Sequence, residues 1–255
     1  MDTFIVSKND FIVEKCFKKK VLDLGCLRHD ASFSLVDSRW LHGQIARVAT
    51  EVIGVDYLER EVEKINADGR YTILCADVTK RIPLDDIFDV VVAGDLIEHL
   101  TNFDGFFQNI RRLLAPGGIL IISTCNPFYR EEFFYTAFKN SIFQNPEHTC
   151  WIDPQSMEQL LGRFCFQVTM LGLIKDTRWK LKDFISNAVD NRFDILQSRW
   201  SHAGLFARAQ RKALGALFSL YYLPFFLCIR NPLVRYADYL VVAQLNTNNH
   251  ENSRS

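Results

Sequence analysis

The sequence predicts an α/β domain: a doubly wound, mostly parallel sheet of seven strands, with a helical insertion before the last strand. Three observations predict it. Short apolar runs recur along the chain, and several stop at an acidic residue or a glycine, as buried parallel strands do at their carboxyl ends. Segments with apolar residues at helical spacing separate these runs, which is the alternation of βαβ units. About sixty residues lie between the last two runs, far more than a hairpin connection needs.

The elements follow in order. Val21–Gly25 is the first apolar run, behind a lysine triplet. Residues 40–50 place Leu41, Ile45, Val48 and Ala49 at helical spacing, and Glu51–Asp56 is the second strand. Glu59–Ala67 reads as a helix stopped by Asp68 and Gly69. Tyr71–Ala76 and Phe88–Ala93 are the third and fourth strands, the former followed by Asp77. Asn102 caps a helix over Phe103–Leu114, and the Pro116–Gly118 turn leads to a fifth strand over Ile119–Thr124. A helix over Pro154–Phe164 precedes the sixth strand, Phe166–Ile174, and Tyr239–Leu245 is the seventh.

The composition is that of an ordinary globular chain: 255 residues, 48% hydrophobic and 24% charged. Thirty basic and thirty acidic residues cancel, which argues against a nucleic-acid partner needing a basic face. The seven cysteines are scattered with no C-x-x-C pair, so reduced thiols and a cytoplasmic location are expected. The first twenty residues lack the basic start and apolar core of a signal peptide.

Ligands of open α/β sheets bind beyond the carboxyl ends of the strands. Four such ends carry Asp23 with Gly25, then Asp56, then Asp77, then Gly94 with Asp95. A lone Asp there is more often a turn residue, but the ordered set is specific. In Val21–Cys26 (VLDLGC), Val52–Asp56 (VIGVD), Ile73–Asp77 (ILCAD), Phe88–Gly94 and Leu113–Gly118 (LLAPGG) the chain resembles the class I S-adenosylmethionine-dependent methyltransferases.

That resemblance implies a Rossmann-like methyltransferase domain over 1–174 and 236–246. It also implies S-adenosylmethionine as cofactor and a set of roles. Asp23, Gly25 and Cys26 form the loop against the methionine part, with Gly25 letting the backbone come close. Asp56 accepts the ribose hydroxyls, as an acceptor-only carboxylate can. Asp77 and the Val78 N–H take the adenine, Tyr57 covers it, and the backbone of Ala93 and Gly94 faces the ammonium. One departure stands out. The family often carries D-x-G-x-G-x-G, whereas Leu27 and His29 occupy the second and third glycine positions here. The same loop excludes a dinucleotide site, which needs those glycines for a pyrophosphate.

Asp95, Glu98 and His99 would share a face if a helical turn began at Asp95. Similar acid-x-x-Glu-His segments occur in the ubiquinone-pathway O-methyltransferases and the small-RNA 2′-O-methyltransferases. That likeness implies a divalent metal (magnesium, manganese or zinc) held by Asp95, Glu98, His99 and a later histidine, for which His148 is the candidate. The alternative is a metal-free pocket in which His99 is a general base or simply lines the pocket. His29 and His42 stand isolated in the sequence and read as structural.

Residues 175–235 form the insertion, and 247–255 a polar tail expected to be disordered. Within the insertion, 213–229 carries no charge, is interrupted by Pro224 and is flanked by Arg208, Arg211, Lys212 and Arg230. It is too short to span a bilayer, and reads either as a packed lid over the cleft or as a peripheral contact with an anionic membrane surface. Segments Trp40–Gly43 and Pro146–Trp151 look like those of methyltransferases in bacterial and archaeal surface-glycan pathways. The expected acceptor is therefore a hydroxyl of a small molecule or glycan, a lipid-linked surface glycan included. A metal-assisted RNA 2′-O-methyltransferase and an inactive scaffold are the alternatives. No Asn/Asp-Pro-Pro-Tyr tetrapeptide follows the fourth strand, which argues against N-methylation of DNA or of protein glutamine.

Overall fold

In the computed structural model, residues 3–5, 7–27, 35–129, 145–174 and 236–246 are described. The chain divides into two units. The first is Met1–Pro127 with Asn145–Lys175 and Ala237–Ser255; the second is Phe128–Gln144 with Asp176–Tyr236. The insertion 175–235, its apolar run 213–229, the tail 247–255 and His29 lie outside the described residues. Among the described residues, no helix is long and apolar enough to cross a membrane.

The first unit is a mixed sheet of eight strands with helices between them. In chain order its elements are β1 (Thr3–Ile5), α1 (Lys8–Cys16), β2 (Lys20–Leu24), α2 (Leu41–Ala46), β3 (Glu51–Asp56), α3 (Glu59–Ala67), β4 (Ile73–Cys75) and β5 (Phe88–Gly94). A single 3-10 turn (Ile97–His99) follows, then α4 (Phe103–Leu113), β6 (Leu114–Cys125), α5 (Pro154–Arg163), β7 (Phe166–Ile174) and β8 (Asp238–Leu245). The strand order is β1-β7-β8-β6-β5-β2-β3-β4. Only β8 runs antiparallel to its neighbours, β6 and β7.

Seven strands were expected and eight are present, because β1 adds to the edge of the sheet beside β7. Three residues give no periodic signal, and β1 exists as a strand only through a partner distant in sequence. α1 is likewise absent from the sequence reading: it buries only Ile12 and Cys16, too narrow a stripe to stand out.

The sheet is buried on both faces, which is why its central strands read as unbroken apolar runs. On one face Val21, Val90, Val92, Ile121, Leu240 and Val242 pack with Ile12 and Cys16 of α1 and Ile45 of α2. The alternate residues Leu22, Leu24, Val91, Leu120 and Ile122 are also buried and point to the other face. β6 starts at Leu114 rather than Ile119. Its pairing with β5 jumps from Phe88–Leu114 to Val90–Ile119, so the Pro116–Gly118 turn is carried as an irregularity within the strand.

Candidate active site

β2, β3, β4 and β5 are adjacent and parallel, so their carboxyl ends lie side by side. At the end of β2, Gly25 takes φ +67 and its N–H donates to the Val55 carbonyl at 2.8 Å. A Cβ at this position would sit 2.7 Å from Leu96 Cδ1, and a side chain there would also be strained.

Asp56 is 3% exposed. Its Oδ2 accepts the Leu27 N–H at 2.9 Å and its Oδ1 the Leu58 N–H at 3.2 Å. Burial pushes its pKa up, against the pull of these N–H donors. Asp77 has the opposite tendency. The Thr79 hydroxyl, 2.7 Å from Oδ1, is the main cause holding its carboxyl below the usual range. The turn carrying Asp77 is pinned to α4 by Asn109. Its Nδ2 donates to the Val78 and Lys80 carbonyls at 2.9 and 2.5 Å, and its Oδ1 accepts the Ile82 N–H at 3.0 Å.

These residues border a cleft of about 480 Å³ in which Gly25, Asp56, Tyr57, Asp77, Val78 and His99 all take part. A second cleft of about 260 Å³ is bordered by Lys8, Asp23, Cys26, Arg39 and Gly94. The two share Gly25, Leu27 and Asp95. Every sequence-predicted cofactor residue thus borders one of the clefts except Ala93, which is fully buried in β5. The Cys26 thiol is raised well above its ordinary pKa by burial, which leaves it protonated and inert.

Sequence reasoning missed the layer beneath this loop. His42, read as structural, is fully buried with Nδ1 2.9 Å from Asp23 Oδ2. The Trp40 indole N–H donates to the Cys26 carbonyl at 2.7 Å. Helical spacing put Leu41 and Ile45 on a core face, but nothing in it shows that Trp40 and His42 turn toward the loop.

The expected helical turn from Asp95 does not form. Asp95 adopts φ +52, and its carboxylate accepts from Ser123 Oγ at 2.9 Å and pairs with Lys8. It is not among the donor atoms that gather with Glu98 and His99. His148, in contrast, is brought to them. The Thr149 N–H and hydroxyl bond the Glu98 and Leu100 carbonyls, both at 2.8 Å, laying the segment along the 3-10 turn. The His99 and His148 rings then meet edge to face with centroids 4.7 Å apart. One donor atom from each of Glu98, His99 and His148 lies within 4.8 Å of the others. Two imidazoles and a carboxylate suit a divalent cation. Glu98 is 3% exposed and accepts from Thr124 Oγ1 at 2.9 Å; burial first, and the Asp95 charge second, raise its carboxyl to about 7. Burial and the neighbouring His99 lower His148, keeping its imidazole neutral.

The chain is similar to several known proteins. The family described as methyltransferase domain matches residues 30–122. A probable S-adenosylmethionine-dependent methyltransferase of Mycolicibacterium smegmatis is 28% identical over 158 residues, 62% of this chain and 55% of that protein. The mitochondrial ubiquinone biosynthesis O-methyltransferase of Homo sapiens is 26% identical over 170 residues, 61% of this chain and 43% of the relative. The chain thus spans about half the length of these curated relatives. Among solved structures, the [4+2]-cyclase SpnF shares the fold with a TM-score of 0.53 at 16% identity, covering 93% of this chain and 80% of its own. A SAM-dependent methyltransferase from Archaeoglobus fulgidus does so with a TM-score of 0.50 at 14% identity, covering 93% and 94%.

Proposed function

We propose that this chain, a class I S-adenosylmethionine-dependent methyltransferase by its fold and its sequence relatives, binds S-adenosylmethionine across the two neighbouring clefts and methylates a hydroxyl of a small molecule or glycan. The arrangement of the two clefts, which share Gly25, Leu27 and Asp95 along their borders, supports this most. They run past four successive strand ends, with Asp77 and Asp56 in one, Gly94 in the other and Gly25 in both. An adenosine joined to an amino acid has that order of groups. The space that a Cβ at Gly25 would fill is part of the same cradle.

The acceptor side is Glu98, His99 and His148. An attacking hydroxyl must lose its proton as its oxygen takes the methyl carbon and the carbon–sulfur bond breaks. His99 borders the larger cleft and can receive that proton. Glu98, His99 and His148 are also the residues that would hold a divalent magnesium, manganese or zinc ion, which would lower the pKa of the hydroxyl. A glycan or small molecule suits the balanced charge better than RNA does. Residues 213–229 are either a lid or a peripheral contact with an anionic membrane, and flotation with anionic liposomes separates the two.

Calorimetric titration with S-adenosylmethionine and S-adenosylhomocysteine tests the cofactor half. Micromolar binding is expected, and Asp56→Ala should abolish it by removing the ribose acceptor. A folded wild type that binds neither ligand would overturn the reading and favour a scaffold role. Retention of full methyl transfer by Glu98→Gln in the presence of a chelator would remove the metal.

A further inference from the structure

Residues 40–43, at the start of α2, fasten the loop of residues 23–27. The Trp40 and His42 rings lie 5.2 Å apart, and Tyr71 meets Trp40 in a T-shaped contact at 4.8 Å, so both rings are fixed. Two glycines make room for them. A Cβ at Gly43 would lie 2.9 Å from Trp40 Cε3, and one at Gly54 of β3 would lie 2.7 Å from Cys26 Sγ and 3.0 Å from His42 Cε1. Three bonds then hold the loop. His42 Nδ1 lies 2.9 Å from Asp23 Oδ2, the Trp40 N–H donates to the Cys26 carbonyl at 2.7 Å, and the Leu27 N–H donates to Asp56 Oδ2 at 2.9 Å. A carboxylate only accepts, so Nδ1 carries the hydrogen and Nε2 is left as an acceptor. Among the described residues, Nε2 is the buried side-chain nitrogen or oxygen without a protein partner. Such an orphan destabilises a fold, and an apolar side chain placed for packing alone would avoid it. The gain from the imidazole therefore lies in what Nδ1 does.

We propose that His42 is a positioning residue: through Asp23 it holds the loop of residues 23–27 in the form that the cofactor requires, and so stands in for the two glycines that Leu27 and His29 replace. This rests on the cofactor reading above. Gly25 and Leu27 border both clefts, and the Leu27 N–H is bonded to Asp56, so the shape of this loop sets the shape of the site. A glycine-rich loop lets a ligand approach the backbone closely, but carries a freedom that binding must remove. Here the freedom is removed beforehand. The loop is fixed at its start by His42, at Cys26 by Trp40 and at its end by Asp56. His42 is fully buried and borders neither cleft, so it acts only through Asp23.

The test separates reach to Asp23 from bulk. In His42→Asn the amide nitrogen falls where Nδ1 stands and can donate to Asp23. In His42→Gln it falls near Nε2 and cannot, although Gln fills more of the space. Affinity for S-adenosylhomocysteine is measured by calorimetry for the wild type and both variants, with thermal unfolding as a check on folding. Nitrogen NMR of the His42 ring in the wild type gives the tautomer, whether or not the variants fold. His42→Asn should stay within about threefold of the wild type, and His42→Gln should bind about tenfold or more weakly. A role in packing alone gives the reverse order, because Asn leaves the larger void. Equal affinities in the three proteins, or a His42→Gln that binds as well as His42→Asn, overturn the proposal. So does a hydrogen on Nε2 alone. A folded wild type that binds no S-adenosylhomocysteine overturns the cofactor reading on which the proposal rests; the other failures leave that reading standing.

Discussion

Asn109 offers a sharp test of how the adenosine end of the site is built, because its side chain is 4% exposed and sits behind the Asp77 turn. It is held between two carbonyls and one N–H of that turn. Asn109→Leu keeps the branch point and the number of heavy atoms and removes all three bonds. The Lys80 carbonyl belongs to an exposed residue and can turn to water. The Ile82 N–H and the Val78 carbonyl belong to residues that are 0% and 7% exposed, and each buried orphan costs about 1–3 kcal/mol. The expected loss is therefore about 2–6 kcal/mol, read as a lower urea midpoint with an unchanged slope. Affinity for S-adenosylhomocysteine should fall with it, since Asp77, Val78 and Thr79 all border the cleft. A loss below about 1 kcal/mol with unchanged affinity would refute this reasoning. It would show that the Asp77–Thr79 bonds, with the Arg112 guanidinium on the Ile82 carbonyl at 2.7 Å, fix the turn unaided.

Gly105→Ala sets two effects of opposite sign against each other. Helix propensity favours alanine by about 1 kcal/mol, but the added Cβ would lie 1.9 Å from the Thr79 carbonyl oxygen, a backbone atom that cannot swing aside. Overlap should win, with a net loss of about 1–3 kcal/mol in thermal unfolding and weaker cofactor binding; a stabilised variant would contradict this. Glu98 predicts a pH dependence. With a chelator present, the folded protein holds a proton there between 4.5 and about 7 that the unfolded chain has released. Stability should therefore fall as pH rises through that window and level off above it, by about 3 kcal/mol at about 1.4 kcal/mol per unit. Glu98→Gln should flatten that slope, and identical profiles for the two proteins would show that Glu98 does not carry it.

Legibility followed the range over which each signal acts. Glu51–Asp56, Glu59–Ala67 and Phe166–Ile174 are read from the sequence at their observed bounds, because double-sided burial and helical spacing are written into neighbouring residues. The acids at the strand ends are legible for the same reason: topology places ligands where parallel strands stop. What could not be read is decided by partners far along the chain. β1 is defined by its register with Gly172, Leu173 and Ile174. His42 acquires its place from Asp23, and Asp95 is bonded to Ser123 and Lys8 and stands outside the donor group of Glu98, His99 and His148. A helical projection assumes that the backbone stays right-handed, and a single residue at φ +52 voids it.

The same logic explains why the glycine-poor loop need not close the site. Glycine is demanded where the backbone must be left-handed or where no Cβ fits, and Gly25 meets both conditions, with φ +67 and Leu96 at 2.7 Å. Leu27 meets neither. The described non-glycine residues with positive φ are Lys18, Asp95 and Cys165, so Leu27 carries its side chain without backbone strain. That side chain packs against the cluster of Cys26, Trp40, Val62, Ile65 and Ile73, and its N–H is used by Asp56. Where the family pattern has a flexible glycine, this chain has a leucine tied at both its backbone and its side chain. Leu27→Gly should then weaken the cofactor site by freeing the loop rather than improve it by restoring the pattern. A gain in S-adenosylhomocysteine affinity in that variant would show that the leucine obstructs the cleft it borders.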